Sequence, residues 1–109
     1  MNIDVGSLAK TMIDDVRAAA GDRWTALRAF AEPELRKLAQ TLEDVRQLHA
    51  DGDITADRAF ELVQMQRNVA LNVLCSIEGL GVLTARAALD AAARAAGAIV
   101  NRLVGFKLI

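Results

Sequence analysis

The apolar residues in the first half of the chain recur with a helical period. Every step between them is three or four residues, close to the α-helical period of about 3.6. The stripe consists of Leu8, Met12, Val16, Ala20, Trp24, Leu27, Ala31, Leu35, Leu38, Leu42, Val45 and Leu48. Asp4 or Ser7 is a suitable N-cap. Because the stripe keeps its phase through Pro33, we expect one long, kinked helix over about residues 5–50.

The clearest interruption of the helical pattern is Asp51-Gly52-Asp53, near the middle of the chain. Gly52 suits the left-handed conformation that ends many helices. Thr55 is a good N-cap for a following helix, and Asp57 in its first turn is favoured by the helix dipole. These residues predict a turn at 51–54 and a second helix over about residues 55–104.

The second half carries a polar stripe at helical spacing, with an interruption at Gly79 and Gly81. The stripe consists of Asp57, Glu61, Gln64, Asn68, Asn72, Ser76, Arg86, Asp90, Arg94 and Asn101. Its phase carries across the two glycines, which favours a single helix with a soft point. The alternative is a monomeric four-helix bundle, broken near Pro33 and Gly79–Gly81.

The favoured fold is therefore all-α, a long antiparallel helical hairpin in one helical domain over residues 1–109. Each arm of about 47 residues would make the hairpin about 70 Å long at a rise of 1.5 Å per residue. Two helices alone cannot cover a surface this apolar, so we expect the hairpin to pair with itself. The product would be a homodimer or higher oligomer built as a four-helix or larger bundle.

A turn centred on Gly52–Asp53 also fixes the antiparallel register of the two arms. It places Trp24 opposite Gly81, a large side chain against the smallest residue, which we interpret as a packing pair. The same register brings Arg28 near Glu78. Because Glu78 is in line with apolar residues, it needs a partner, and we expect a structural ion pair between these two side chains.

Composition and charge exclude several classes of protein. The chain is 53% hydrophobic and 4% aromatic, and its net charge of −1 gives no field that would attract nucleic acid. The longest run without a charged residue, Asn68–Ile77, is too short to span a bilayer. No secretory signal is evident at the N-terminus. The single cysteine, Cys75, is typical of a reducing compartment, so we expect a cytoplasmic protein.

No motif points to catalysis, to a cofactor or to a metal. His49 is the one histidine of the chain, which is too few for the ligand sets of di-iron bundles or structural zinc sites. The stretch His49–Ile54 faintly resembles an EF-hand loop, but the position of the bidentate acid is taken by Arg58. Nucleophile and phosphate-binding motifs are absent. We therefore predict a protein that is not an enzyme, with no catalytic, cofactor-binding or metal-binding residues.

The end of the sequence, residues 104–109, is an unusually apolar tail. Its apolar side chains and those just before it are candidate partner-binding residues: Leu103, Val104, Phe106, Leu108 and Ile109. We expect one of two functions. The leading one is a non-catalytic helical oligomerisation, scaffold or adaptor module that contacts a second copy or, through the tail, another protein. The alternative is a peripheral amphipathic protein that binds a membrane or granule surface.

Overall fold

The computed structural model describes residues 2–109, and its regular structure is entirely helical. The α-helices are α1 (Val5–Ala20), α2 (Trp24–Ala50), α3 (Ala56–Cys75) and α4 (Val82–Val104). A short 3-10 turn, Gly21–Arg23, separates α1 from α2. The prediction of an all-α fold is confirmed.

The helix ends that the sequence marks are made by the expected residues. The Asp4 carboxylate accepts a hydrogen bond of 3.0 Å from the backbone N–H of Ser7, which caps α1. Thr55 Oγ1 accepts one of 3.1 Å from the N–H of Arg58 and caps α3, with Asp57 in the first turn. Gly52 has a φ of +79°, so the turn after α2 uses the left-handed conformation that glycine permits.

The two long arms of the expected hairpin are each broken in the structure. The first arm bends at Gly21–Arg23, and the second bends over residues 76–81. The longest dimension is 43 Å, far below the ~70 Å of a straight hairpin. The chain instead folds back on itself, so that its apolar faces are covered by its own helices.

Pro33 lies inside α2 and does not end it. The alternative arrangement was therefore wrong about a break near Pro33 and right about one near Gly79–Gly81. Pro33 is exposed, while Ala31 and Leu35 on the core face are buried on either side of it. Their tertiary packing favours a continuous helix, although the proline removes one backbone hydrogen bond.

Each helix packs mainly against two neighbours, in the order α1, α2, α3, α4 and back to α1, and α2 also contacts α4 across the bundle. The α1–α4 and α2–α3 pairs share more extensive contacts than the α1–α2 and α3–α4 pairs. The centre is closed by fully buried side chains, among them Met12, Leu27, Leu38, Leu42 and Leu74. In α4 the buried positions are mostly alanines, which let neighbouring backbones approach closely.

Candidate functional site

Several large apolar side chains are exposed on the surface of the molecule. Over residues 2–109 the exposed large hydrophobics are Phe30, Leu48, Met65, Val69, Val82, Leu83 and Ile99. They fall mainly into two groups, one along the outer surface of α2 and α3 and one at the bend before α4. Single exposed apolar residues are ordinary, but groups of them mark contact surfaces.

The first group, which we name the α2–α3 face, consists of Phe30, Leu48, Met65 and Val69. Phe30 and Leu48 lie on the same side of α2 but are 18 residues, about 27 Å, apart along it, with the exposed Lys37 and Asp44 between them. Met65 and Val69 are one turn apart on the neighbouring α3. Their exposed fractions are 46% for Phe30, 59% for Met65 and 48% for Val69. About half of each of these side chains is left uncovered by the rest of the chain.

The second group lies at the first turn of α4, directly after the bend. Leu83 is 84% exposed and Val82 is 53% exposed. Leu83 lines a hollow of about 320 Å³ together with Ala19 and Ala20 from the end of α1 and Arg23 from the first bend. The two bends of the chain therefore lie side by side, and their apolar side chains are left at the same end of the molecule.

The opposite end of the molecule carries His49 together with two phenylalanines, Phe60 and Phe106. The ring of His49 packs on Phe106 with 4.7 Å between ring centroids. Lys107 Nζ lies 5.8 Å from the centre of the Phe60 ring, within cation–π range. A hollow of about 510 Å³ beside them is lined by Phe60, Phe106, Lys107 and residues of the first turns of α3. The contact with Phe106 gives His49 a packing role, and no nucleophile with a positioned base lines this hollow.

A buried ion pair holds the start of the chain against α2. Arg46 Nη2 donates to Glu43 Oε2 at 3.0 Å and to Asn2 Oδ1 at 3.1 Å. The backbone N–H of Ile3 donates to Glu43 Oε1 at 3.0 Å. The hydrogen bond from Arg46, together with that from Ile3, holds the pKa of Glu43 below its usual value, although partial burial opposes the shift. The hydrogen bond to Glu43 in turn raises the pKa of Arg46. The arrangement fastens α1 to α2.

Glu34 is the most unusual polar side chain among the described residues. It is 5% exposed, and its Oε2 accepts a hydrogen bond of 2.8 Å from Lys37. Its Oε1 is buried without a hydrogen-bond partner, the one such side-chain atom of residues 2–109. A signal for this burial is present in the sequence, since Glu34 lies three residues after Ala31 and four before Leu38 on the core side of α2. Neither the burial of Glu34 nor the Glu43–Arg46 pair was predicted from the sequence.

The two residue pairs expected from the hairpin register are not formed. Arg28 donates to Glu32 at 3.2 Å, while Glu78 is exposed and belongs to no ion pair among residues 2–109. A Cβ added at Gly81 would have nothing within 4 Å, so Trp24 does not pack on this glycine. Glycine is required there by its backbone, with φ +85° and ψ 150°. Both expectations assumed straight arms, and residues 76–81 form a bend instead.

The apolar tail is packed against its own bundle instead of standing free for a partner. Leu108 is fully buried and Ile109 is 5% exposed, while Leu103, Val104 and Phe106 are half-buried. Asn101 fastens the tail, because its Oδ1 accepts from the N–H groups of Leu108 at 2.8 Å and Ile109 at 3.1 Å. Its Nδ2 donates to the backbone oxygen of Ile109 at 3.0 Å. The expected docking role of these five residues would require this packing to open.

Neither metal-binding clusters, membrane-spanning helices nor similarity to known proteins assigns a function to the described residues. No group of three or more His, Cys, Asp or Glu side chains gathers among residues 2–109 in a way that could hold a metal ion. Within the same residues, no helix combines the length and the apolar character needed to cross a membrane. No protein-family model, curated protein or solved structure matches the chain.

Proposed function

We propose that this chain is a non-catalytic helical assembly module that acts through protein–protein contacts, first of all with a second copy of itself. The observation that carries the proposal is the α2–α3 face, where Phe30, Met65 and Val69 are each about half exposed or more. Covering such side chains is favourable by about 25 cal/mol per Å² of apolar area removed from water. A helical surface of this kind is suited to another helical surface.

A second copy is the partner that the proposal commits to. Two copies related by a two-fold axis can place the same apolar face against itself, as in most soluble homodimers. The net charge of −1 adds little repulsion between the copies. Arg58 and Glu61 form a 3.0 Å ion pair on α3, so charge near the face is already balanced within one chain.

Light scattering over a range of concentrations tests this proposal. We expect the wild-type chain to approach twice its 11.7 kDa mass in the micromolar range. The double variant Phe30→Gln, Val69→Thr removes apolar area from the α2–α3 face and should stay monomeric. Ile99→Thr is the matched control, since Ile99 has the same 46% exposure as Phe30 but lies on α4. A monomeric wild type would refute self-association, and a dimer in all three proteins would refute the use of this face.

The alternative, binding to a membrane or granule surface, loses the support that it drew from the tail, because Leu108 and Ile109 are buried. It now depends on the same exposed side chains as the assembly proposal. Co-sedimentation with phosphatidylcholine vesicles distinguishes the two. Binding that is lost in the Phe30→Gln, Val69→Thr variant would favour the surface function over self-assembly.

A further inference from the structure

The two bends of the chain touch each other. The side chain of Arg23, in the first bend, donates from Nη1 to the backbone oxygen of Leu80, in the second bend, at 3.2 Å. Both bends use glycine at positive φ, +58° at Gly21, +80° at Gly79 and +85° at Gly81. The turn at Gly52 lies at the other end of the molecule, with the tail packed beside it through the contact of Phe106 with His49. The fold is therefore a hairpin that is folded in half, with both arms bent at one level.

The pattern of helix packing agrees with this description. The most extensive pairs, α1–α4 and α2–α3, are the two halves of such a hairpin. The halves are then joined by the less extensive α1–α2 and α3–α4 contacts. Three polar contacts cross between the halves, from Ile3 N–H to Glu43, from Arg46 to Asn2 at 3.1 Å and from Arg67 to Asp90 at 2.7 Å. If the bends straightened, each half would stay intact and only these joining contacts would be lost.

We infer that a second copy can supply the lost contacts by exchange of halves. In the exchanged dimer the α1–α4 half of one chain packs on the α2–α3 half of the other, and each chain is the straight hairpin of about 70 Å. Every joining contact of the closed chain is made again, now between chains. The closed and exchanged forms therefore differ mainly at the bends, and the choice between them depends on bend conformation and protein concentration.

Two features of the bends favour the exchanged form. The apolar stripe Val16, Ala20, Trp24 and Leu27 keeps helical phase across the first bend, so a continuous helix there is consistent with the sequence. Val82 and Leu83 are exposed in the closed chain, and in the exchanged dimer the bend segments of the two chains pass each other and can cover them. The glycines oppose exchange, because they adopt the bent conformation at low cost.

The first test removes that advantage of the bent form. Alanine favours helix over glycine and is strained at the φ values of Gly21 and Gly81, while neither added Cβ meets an atom within 4 Å. We expect the Gly21→Ala, Gly81→Ala variant to be helical by circular dichroism and dimeric by light scattering, with a maximum dimension near ~70 Å in X-ray scattering. Gly6→Ala, a helical glycine away from both bends, should not change the mass. Insertion of two glycines after Gly79 should favour the closed monomer.

A folded Gly21→Ala, Gly81→Ala variant that is monomeric, or dimeric with a maximum dimension well short of ~70 Å, would overturn the inference. If that variant does not fold, the wild type is refolded from urea at millimolar and at micromolar concentration. A dimer that forms only at the high concentration and separates slowly on dilution supports exchange. Its absence after refolding would overturn the inference.

The second test asks whether α3 of one chain meets α4 of another. In the Gly21→Ala, Gly81→Ala background, Arg67→Glu and Asp90→Arg each place like charges at the contact that Arg67 and Asp90 make. Mixed and refolded together, the two chains form an exchanged heterodimer in which both contacts join opposite charges. Native mass spectrometry should therefore show more heterodimer than random mixing. A random distribution would overturn exchange.

The inference rests on the proposed function only in making a second copy the partner, because it uses different surfaces. The Phe30→Gln, Val69→Thr substitutions on the α2–α3 face should leave the exchanged dimer intact. If they abolish the dimer of the wild type while the heterodimer excess is absent, the proposed function stands and the exchange fails. If the wild type is monomeric while the bend variant dimerises, the exchange stands and the α2–α3 face does not assemble.

Discussion

Replacing Glu34 by methionine should stabilise the protein. Glu34 is 5% exposed, and its Oε1 is buried without a hydrogen-bond partner. A buried acceptor left unpaired costs about 1–3 kcal/mol. The ion pair that the substitution removes is worth at most about 1 kcal/mol, because its other member, Lys37, is 62% exposed. Methionine has similar length and helix propensity, so the free energy of unfolding should rise by roughly 1–2 kcal/mol.

Urea titration followed by circular dichroism measures this change directly, and the slope of the free energy against denaturant should stay constant. The thermal midpoint should rise as well, by roughly 4–8 °C per kcal/mol for a domain near this size. Glu61→Met is the matched control, since Glu61 also pairs with a basic residue three positions away but its side chain is 62% exposed. That control should change stability by less than about 0.5 kcal/mol.

A loss of about 1 kcal/mol or more in Glu34→Met, with the fold retained, would contradict this prediction. The loss would mean that Oε1 is satisfied in solution, for example by a buried water, and that the carboxylate contributes to the packing of α2. An equal effect of Glu34→Met and Glu61→Met would show that burial of the carboxylate is not the cause.

The remaining predictions concern an ion pair, a hydrogen-bonding side chain and a glycine that stabilise the closed chain. Glu43 has a lowered pKa, so its contribution to stability is present above its ordinary pKa of 4.5 and is lost as the pH falls through the lowered value. In urea titrations, Glu43→Gln should therefore unfold more easily than the wild type at neutral pH. The variant should also lose less stability than the wild type as the pH falls below 4.5. Asn101→Ala leaves the N–H groups of Leu108 and Ile109 without their acceptor, at a cost of about 1–3 kcal/mol, and hydrogen exchange at Leu108 should accelerate, whereas exposed Asn68→Ala should not affect it. Gly81→Ala should destabilise the closed monomer, measured at low concentration, by roughly 1–3 kcal/mol through its backbone conformation. Because no side chain lies at the added Cβ, that cost should add to the cost of Trp24→Ala within about 0.5 kcal/mol, and a clear coupling would show that the two residues touch after all.

Much of the local structure follows from the sequence alone. Asp4, Thr55 and Gly52 mark helix ends because their side chains, or the lack of one, suit backbone groups and angles within a few residues. The helical stripe correctly identified buried positions such as Met12, Leu27 and Leu42. Continuity of α2 through Pro33 was also predicted from the phase of this stripe. Each of these inferences depends only on neighbouring residues, so tertiary context was not needed.

What covers the buried faces was decided only by the tertiary structure. A stripe of period 3.6 shows which side of a helix is buried, but a straight hairpin paired with a second copy and a chain folded in half bury the same stripe. Gly21 and Gly81 permit either arrangement, and the backbone conformation at those two residues distinguishes the folded-back chain from the straight hairpin. In the folded-back chain Glu78 lies in solvent, and Arg28 pairs with Glu32 instead. The same fold buries Leu108 and Ile109 against the bundle. These side chains depend on contacts between residues far apart in sequence, whose free energies differ little between alternative packings, so no local pattern could assign them.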